Sequence, residues 1–246
     1  MQWNDPAPLD TLTMRGCAAA RSRGRNACVT RIGPKTLIAN PSIAASAVNS
    51  SAASRGAAVP ALLIRTSRRP KSLRTRAAAA RVRNEYGHLD VLINNAGTAA
   101  PRLGAEELTA EAAMEGFAIN VFGPIRMTHA FLPLLRAAEH PRIVNVSSGV
   151  GSFQRILEPG TVENTVTLPV YPATKAALTM LTVQYARALH GILVNAADPG
   201  FTSTDFNNHR GTQNVTEGTD AIVRLATLTP DGPTGTFQDR HGPVPW

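Results

Sequence analysis

The 246-residue chain is poor in cysteine: it has only Cys17 and Cys28, with no second cluster of ligand residues beside them. That excludes a disulfide framework or a cysteine metal site as the organising device and fits a reducing, cytoplasmic setting. Long apolar runs are also missing. The Val59–Ile64 stretch is far short of the roughly 20 residues that cross a bilayer, so no spanning helix is expected. The opening Met1-Gln2-Trp3-Asn4-Asp5 lacks a basic head followed by an apolar stretch, so no secretory signal is expected either. Acids are scarce in one region: residues 1–80 hold Asp5 and Asp10 against 13 Lys and Arg, whereas residues 81–246 hold 12 basic and 15 acidic residues. The formal net charge of +8 therefore belongs to the N-terminal segment. Aromatics are absent between Trp3 and Tyr86, which removes the stacking platforms expected of a single-stranded nucleic-acid site.

Residues 1–76 form an atypical Arg/Ala/Ser-rich segment, read as an irregular or disordered region. Asn26–Thr30 and Val59–Ile64 are its two candidate strands. Three origins fit this composition: a basic arm for a polyanion, a divergent first half of the same domain, or a frame-shifted translation of GC-rich DNA. The abrupt onset of ordered patterning near residue 77 favours the third.

From Ala77 to Trp246 the pattern is legible. Ala77–Tyr86 reads as a helix ending at Gly87, and Val91–Asn95 as a short buried strand. Thr109–Ala138 carries apolar residues at helical spacing, and Ile143–Ser147 is a second buried strand. Tyr171–Leu189 reads as a long helix and Ile192–Ala196 as a third strand. Glu217–Leu228 reads as a further helix and Gly235–Gln238 as a final strand. Strands alternating with helices predict an α/β fold: a Rossmann-like, doubly wound parallel sheet in a single domain.

Tyr171 and Lys175 stand four apart on a predicted helix, so their side chains share a face. A tyrosine of pKa about 10 is a poor acid–base at neutral pH, and bringing it to about 7 takes roughly 4 kcal/mol of selective phenolate stabilisation. One cation at about 4 Å in an effective dielectric near 20 supplies about that much. In a parallel sheet, ligands bind at the carboxyl ends of strands. Three polar or turn-forming clusters fall there: Asn94-Asn95-Ala96-Gly97, Ser147-Ser148 and Asp198-Pro199-Gly200.

In this order, those motifs resemble the short-chain dehydrogenase/reductase family over about Ala77–Trp246. The resemblance implies that Tyr171 is the general acid for reduction and the base for oxidation. Lys175 would tune Tyr171 and hold the nicotinamide ribose, Ser148 would hold the substrate oxygen, and Asn120 would order a relay water. Asn94, Ala96 and Gly97 would contact the cofactor's adenosine side. Pro199, Gly200, Phe201 and Thr202 would flank the nicotinamide, with Thr204 beside the carboxamide. The 22 residues between Ser148 and Tyr171, with the extra piece Gln154–Pro169, resemble the carbonyl reductase and menthone reductase branch. In that branch, such an insertion can obstruct dimerisation. The implied activity is NADP-dependent (NAD being the alternative) hydride transfer between a small carbonyl compound and its secondary alcohol, with Asp205–Glu217 as a substrate lid.

One family feature is missing: the Thr-Gly-x-x-x-Gly-x-Gly loop whose amides hold the pyrophosphate. Val29-Thr30-Arg31-Ile32-Gly33 has one glycine where the motif has three. Arg65–Arg69 stand where the family's adenine-side Asp belongs, and Arg68 or Arg69 could pair a 2′-phosphate. Two expectations follow. Cofactor binding is weak, and the strand carrying Asn94 lacks its usual first-strand neighbour, leaving unpaired amides and a marginally stable fold. The competing readings are a non-catalytic dinucleotide-responsive or scaffold protein, and polyanion binding through the basic segment.

Overall fold

A computed structural model describes residues 72–99 and 101–246, together with the short strands at 30–31, 37–39 and 61–64. The strands form one eight-stranded sheet in chain order. They are β1 (Thr30–Arg31), β2 (Leu37–Ala39), β3 (Ala61–Ile64), β4 (Val91–Asn94), β5 (Arg142–Val146), β6 (Leu193–Ala197), β7 (Phe237–Asp239) and β8 (Gly242–Pro243). Strands β2 to β7 run parallel, and the outer pairs β1–β2 and β7–β8 are antiparallel. The described helices are α1 (Ser72–Tyr86), α2 (Ala110–Asn120), α3 (Phe122–Leu135), α4 (Phe153–Leu157), α5 (Val170–Ala188) and α6 (Val215–Ala226).

The period-2 alternation of the central strands sorts their side chains to two faces. On one face Leu92, Ile143 and Val194 pack against Ala79 and Val82 of α1 and Met127, Phe131, Leu134 and Leu135 of α3. On the other, Val91, Ile93, Val144 and Val146 meet Ala221, Ile222, Leu225 and Ala226 of α6. Burial on both faces is why β4 and β5 are buried along their whole length and do not alternate between apolar and exposed polar residues. Helix α6 is fastened at its start by a reciprocal cap: Asn214 accepts from the Glu217 amide and Glu217 accepts from the Asn214 amide. Such a pair is worth about 1 kcal/mol.

Three expectations need correction. The strand carrying Asn94 does not lack a neighbour, because β3 pairs with β4 in parallel, Ile64 opposite Asn94. The 109–138 helix is two helices, divided at Val121, whose ψ of −59° with a φ of −117° departs from helical geometry. Pro124 accounts for the break: it has no N–H to donate to the carbonyl four residues back, that of Asn120. The helix expected at Ala77–Tyr86 begins at Ser72 instead. The Asn26–Gly33 region outside Thr30–Arg31, the two cysteines and Arg65–Arg69 lie outside the described residues.

Candidate active site

The carboxyl ends of β4, β5 and β6 and the first turns of α5 converge on one edge of the sheet. Tyr171, in the first turn of α5, faces the Ser148 hydroxyl just past the end of β5, which favours the phenolate. One turn further, the buried Lys175 ammonium lies 5.7 Å from the centre of the Tyr171 ring. It donates at 2.9 Å to the Val146 carbonyl at the tip of β5. Ser147 adds a second tie between strand and helix, its hydroxyl donating to the Lys175 carbonyl at 3.2 Å.

Glycine makes this approach feasible. A Cβ on Gly151 would lie 2.9 Å from the Lys175 carbonyl carbon, so only a residue without one lets the 149–151 turn press against α5. Asn120 is fully engaged. Its Oδ1 accepts from the Thr98 amide at 2.8 Å, and its Nδ2 donates to the Thr98 carbonyl at 2.9 Å and to Thr174 Oγ1 at 2.8 Å. The Thr174 hydroxyl in turn donates to the Tyr171 carbonyl. Asn120 thus fastens the turn after β4 to the helix that carries Tyr171.

The electrostatics differ from the expectation of a softened phenol. Burial pushes the Tyr171 pKa up to about 12, outweighing the Ser148 hydrogen bond, and the Asp198 carboxylate pushes in the same direction. Burial brings Lys175 down to about 8, with Asp198 opposing the fall. The cation is itself weakened by burial, so the balance at Tyr171 favours the protonated phenol.

The remaining sequence-derived residues divide. Ala96 and Gly97 form the accessible part of the turn after β4, and a Cβ on Gly97 would be 3.6 Å from Lys175 Nζ. The Asn94 side chain is instead turned into the sheet, donating to Asn145 Oδ1 at 2.8 Å. Pro199, Gly200, Phe201 and Thr202 form the turn after β6, where Gly200 has a φ of +64° and Phe201 is 49% exposed. The Thr202 hydroxyl donates back to the Pro199 carbonyl. Thr204 lies two residues further on; its amide donates to Asn207 Oδ1 and its carbonyl accepts from the His209 amide. Phe206, from the expected lid, meets Tyr171 with ring centres 6.2 Å apart.

Sequence reasoning missed four participants. Thr174 carries the Asn120 tie, and Gln213 packs against Gly200. Asp198 read only as a strand breaker, yet it is buried beside Tyr171 and Lys175. Arg155, within the extra piece, reaches Asp198. The signal available was Asp198 itself, an acid at the end of a core strand where acids are seldom buried without a partner.

The residues present suit a nicotinamide dinucleotide at the reacting end. The buried Lys175 ammonium has three N–H donors, of which one meets Val146. Gln213 Oε1 is buried without a hydrogen-bond partner beside the Gly200 turn. Both are polar atoms positioned for a ligand rich in hydroxyl and amide groups.

The short chain dehydrogenase family model matches residues 45–215, starting upstream of Ala77. A (+)-neomenthol dehydrogenase of Arabidopsis thaliana is 33% identical, over 65% of this chain and 71% of its own length. A (-)-isopiperitenone reductase of Mentha piperita is 27% identical, over 67% and 74% respectively. Among solved structures, an NADPH-bound carbonyl reductase from chicken fatty liver superposes with a TM-score of 0.63 at 29% identity, covering 72% of this chain and 74% of that one. With its family model, relatives and fold in agreement, the chain belongs to the short-chain dehydrogenase family, as an oxidoreductase of the carbonyl reductase and menthone reductase-like branch.

Proposed function

We propose that this protein reduces a small, largely apolar carbonyl compound to its secondary alcohol with NADPH, the reverse oxidation being the same chemistry run backwards. The observation that carries the reading is the Ser148 hydroxyl and the Lys175 ammonium both facing Tyr171, the ammonium 5.7 Å from the centre of the phenol ring. When bound, the reduced nicotinamide supplies the hydride. Ser148 and Tyr171 converge on the position a carbonyl oxygen would take, so the Ser148 hydroxyl holds that oxygen and Tyr171 donates the proton. A phenol pushed up to about 12 is protonated throughout the neutral range, the form that proton donation needs. Lys175, with Tyr171, would hold the ribose, and the turns Ala96–Gly97 and Pro199–Thr202 would line the cofactor on either side, with Gln213 Oε1 beside the second. Phe206 against Tyr171 and the half-exposed Phe201 favour an apolar substrate body. NADP rather than NAD, weak affinity owing to the missing glycine loop, and a cytoplasmic location complete the reading. We assign the dinucleotide-anchoring deficit to residues 1–76 and the chemistry to 77–246.

The test is NADPH consumption by the purified chain over a panel of ketones and aldehydes, beside Tyr171→Phe. A kcat lowered by about 10²–10⁴-fold, with KM little changed, is expected. A Tyr171→Phe enzyme as fast as the parent would remove Tyr171 from the chemistry.

A further inference from the structure

Asp198 is 4% exposed at the end of β6, among more polar partners than a strand terminus needs. Its Oδ1 accepts from the Gly200 amide at 2.9 Å and its Oδ2 from Arg155 Nη1 at 3.2 Å, while the nearby Gly149 amide favours its ionised form. Gly149 directly follows Ser148, and a Cβ there would fall 3.0 Å from Asp198 Oδ2, so the carboxylate sits directly against the strand end that carries the serine. Arg155 is shared: its Nη2 donates to Asp239 of β7 at 2.7 Å and its Nη1 also lies 3.5 Å from Glu163. Arg155 and Glu163 both come from the extra piece between the serine and the tyrosine.

We propose that Asp198 is a positioning residue: clamped by Arg155, it holds the Ser148–Gly149 strand end against the Gly200 turn and sets the charge seen by Tyr171 and Lys175. On this view the extra piece is the strap that closes the site, not merely an obstacle to subunit contact. The inference rests on the oxidoreductase reading for its consequence but not for its test. The charged groups facing Asp198 are Arg155 from α4, Glu163 from the turn that follows it, Asp239 from β7, and Lys175 and Tyr171 from α5. Burial pushes the Asp198 carboxyl up, and the Gly200 amide, Arg155 and the Gly149 amide oppose this by favouring the ionised form. An ionised Asp198 keeps Lys175 an ammonium and Tyr171 a phenol, the pair of states that delivers a proton to a carbonyl.

The chain has three lysines, Lys35, Lys71 and Lys175, so their side-chain carbon resonances can be followed individually by NMR, Lys175→Arg identifying the one of interest. Two neutral replacements are compared, Asp198→Asn for shape and Asp198→Ser, which keeps a small acceptor for the glycine amides should the amide of Asn clash with Arg155. Either should move the Lys175 titration down by about one pH unit, a tenfold loss of proton affinity. In alcohol oxidation, the pH at which activity rises should move down with it. A Lys175 titration unmoved in both variants overturns the proposal, whether or not turnover falls. If Lys175 shifts but neither parent nor variants turn over any carbonyl compound, Asp198 keeps its charge-setting role and the carbonyl-reduction reading fails instead.

Discussion

Lys175 shows how one side chain carries both a stability and a functional consequence. Its pKa is about 8 in the fold against 10.5 ordinarily, because burial disfavours the ammonium more than Asp198 restores it. Below pH 8 both folded and unfolded chains hold the proton, and the cost of burying the charge is fully present. Between about pH 8 and 10.5 the unfolded chain binds the proton and the folded chain does not, so stability rises with pH through that window. Tyr171, raised from 10.0 to about 12, acts in the opposite sense, but only above pH 10. Urea unfolding of the parent and of Lys175→Met at pH about 8 and about 10 should therefore show a gain in the parent that the variant lacks; equal slopes would show that the ammonium is not desolvated. At this scale the sequence was informative about identity and less so about environment. That Tyr171, Lys175, Ser148 and Asn120 come together at one edge of the sheet was legible from motif order. The direction of the Tyr171 shift was not, because pairwise Coulomb reasoning from a four-residue spacing omits the depth at which both groups are buried. Nor was the commitment of Asn94 to Asn145, which depends on register between strands 51 positions apart in sequence.

Among the elements, the junction of the Gly149–Gly151 turn with α5 carries the most precise constraint. Gly151→Ala would place a methyl 2.9 Å from the Lys175 carbonyl carbon and 3.0 Å from its Cβ, with backbone rather than a flexible tip as the obstacle. Overpacking of this kind costs about 1–3 kcal/mol, and here it also displaces Lys175 and Ser148 relative to one another. The expected outcome is a lower thermal midpoint together with a kcat loss exceeding any change in KM, measured on the same preparation. Unaltered kcat would show that the turn and helix move independently. Strand and helix identities were largely legible from periodicity, since β4, β5 and β6 are short apolar runs bounded by turn residues. The division between α2 and α3 was also written in the sequence, at Pro124, but apolar spacing carries across the break and conceals it. The small structures of the extra piece could not be read at all. Their geometry comes from Arg155 reaching Asp198 and Asp239, contacts that span 43 and 84 positions.

Across the whole molecule, the cluster of Ser148, Tyr171 and Lys175 is joined to a segment without the glycine loop that anchors a dinucleotide's phosphates. β3 supplies β4 with the neighbour that the sequence alone did not promise, so sheet continuity does not require the family's usual first strand. It does not replace the loop's amides. Fluorescence titration of the folded chain with NADPH should accordingly give a dissociation constant well above micromolar, and micromolar binding would contradict that part of the account. The central claim, that Ser148, Tyr171 and Lys175 together serve carbonyl reduction, is tested most directly by isotope transfer at high NADPH. Cofactor carrying deuterium at both positions of the reduced nicotinamide carbon is incubated with the best ketone from the panel, and the alcohol is analysed by mass spectrometry. One deuterium on the carbinol carbon is expected with the parent chain and almost no alcohol with Tyr171→Phe; unlabelled alcohol from the parent, or equal labelled yield from both, would remove these residues from the reaction.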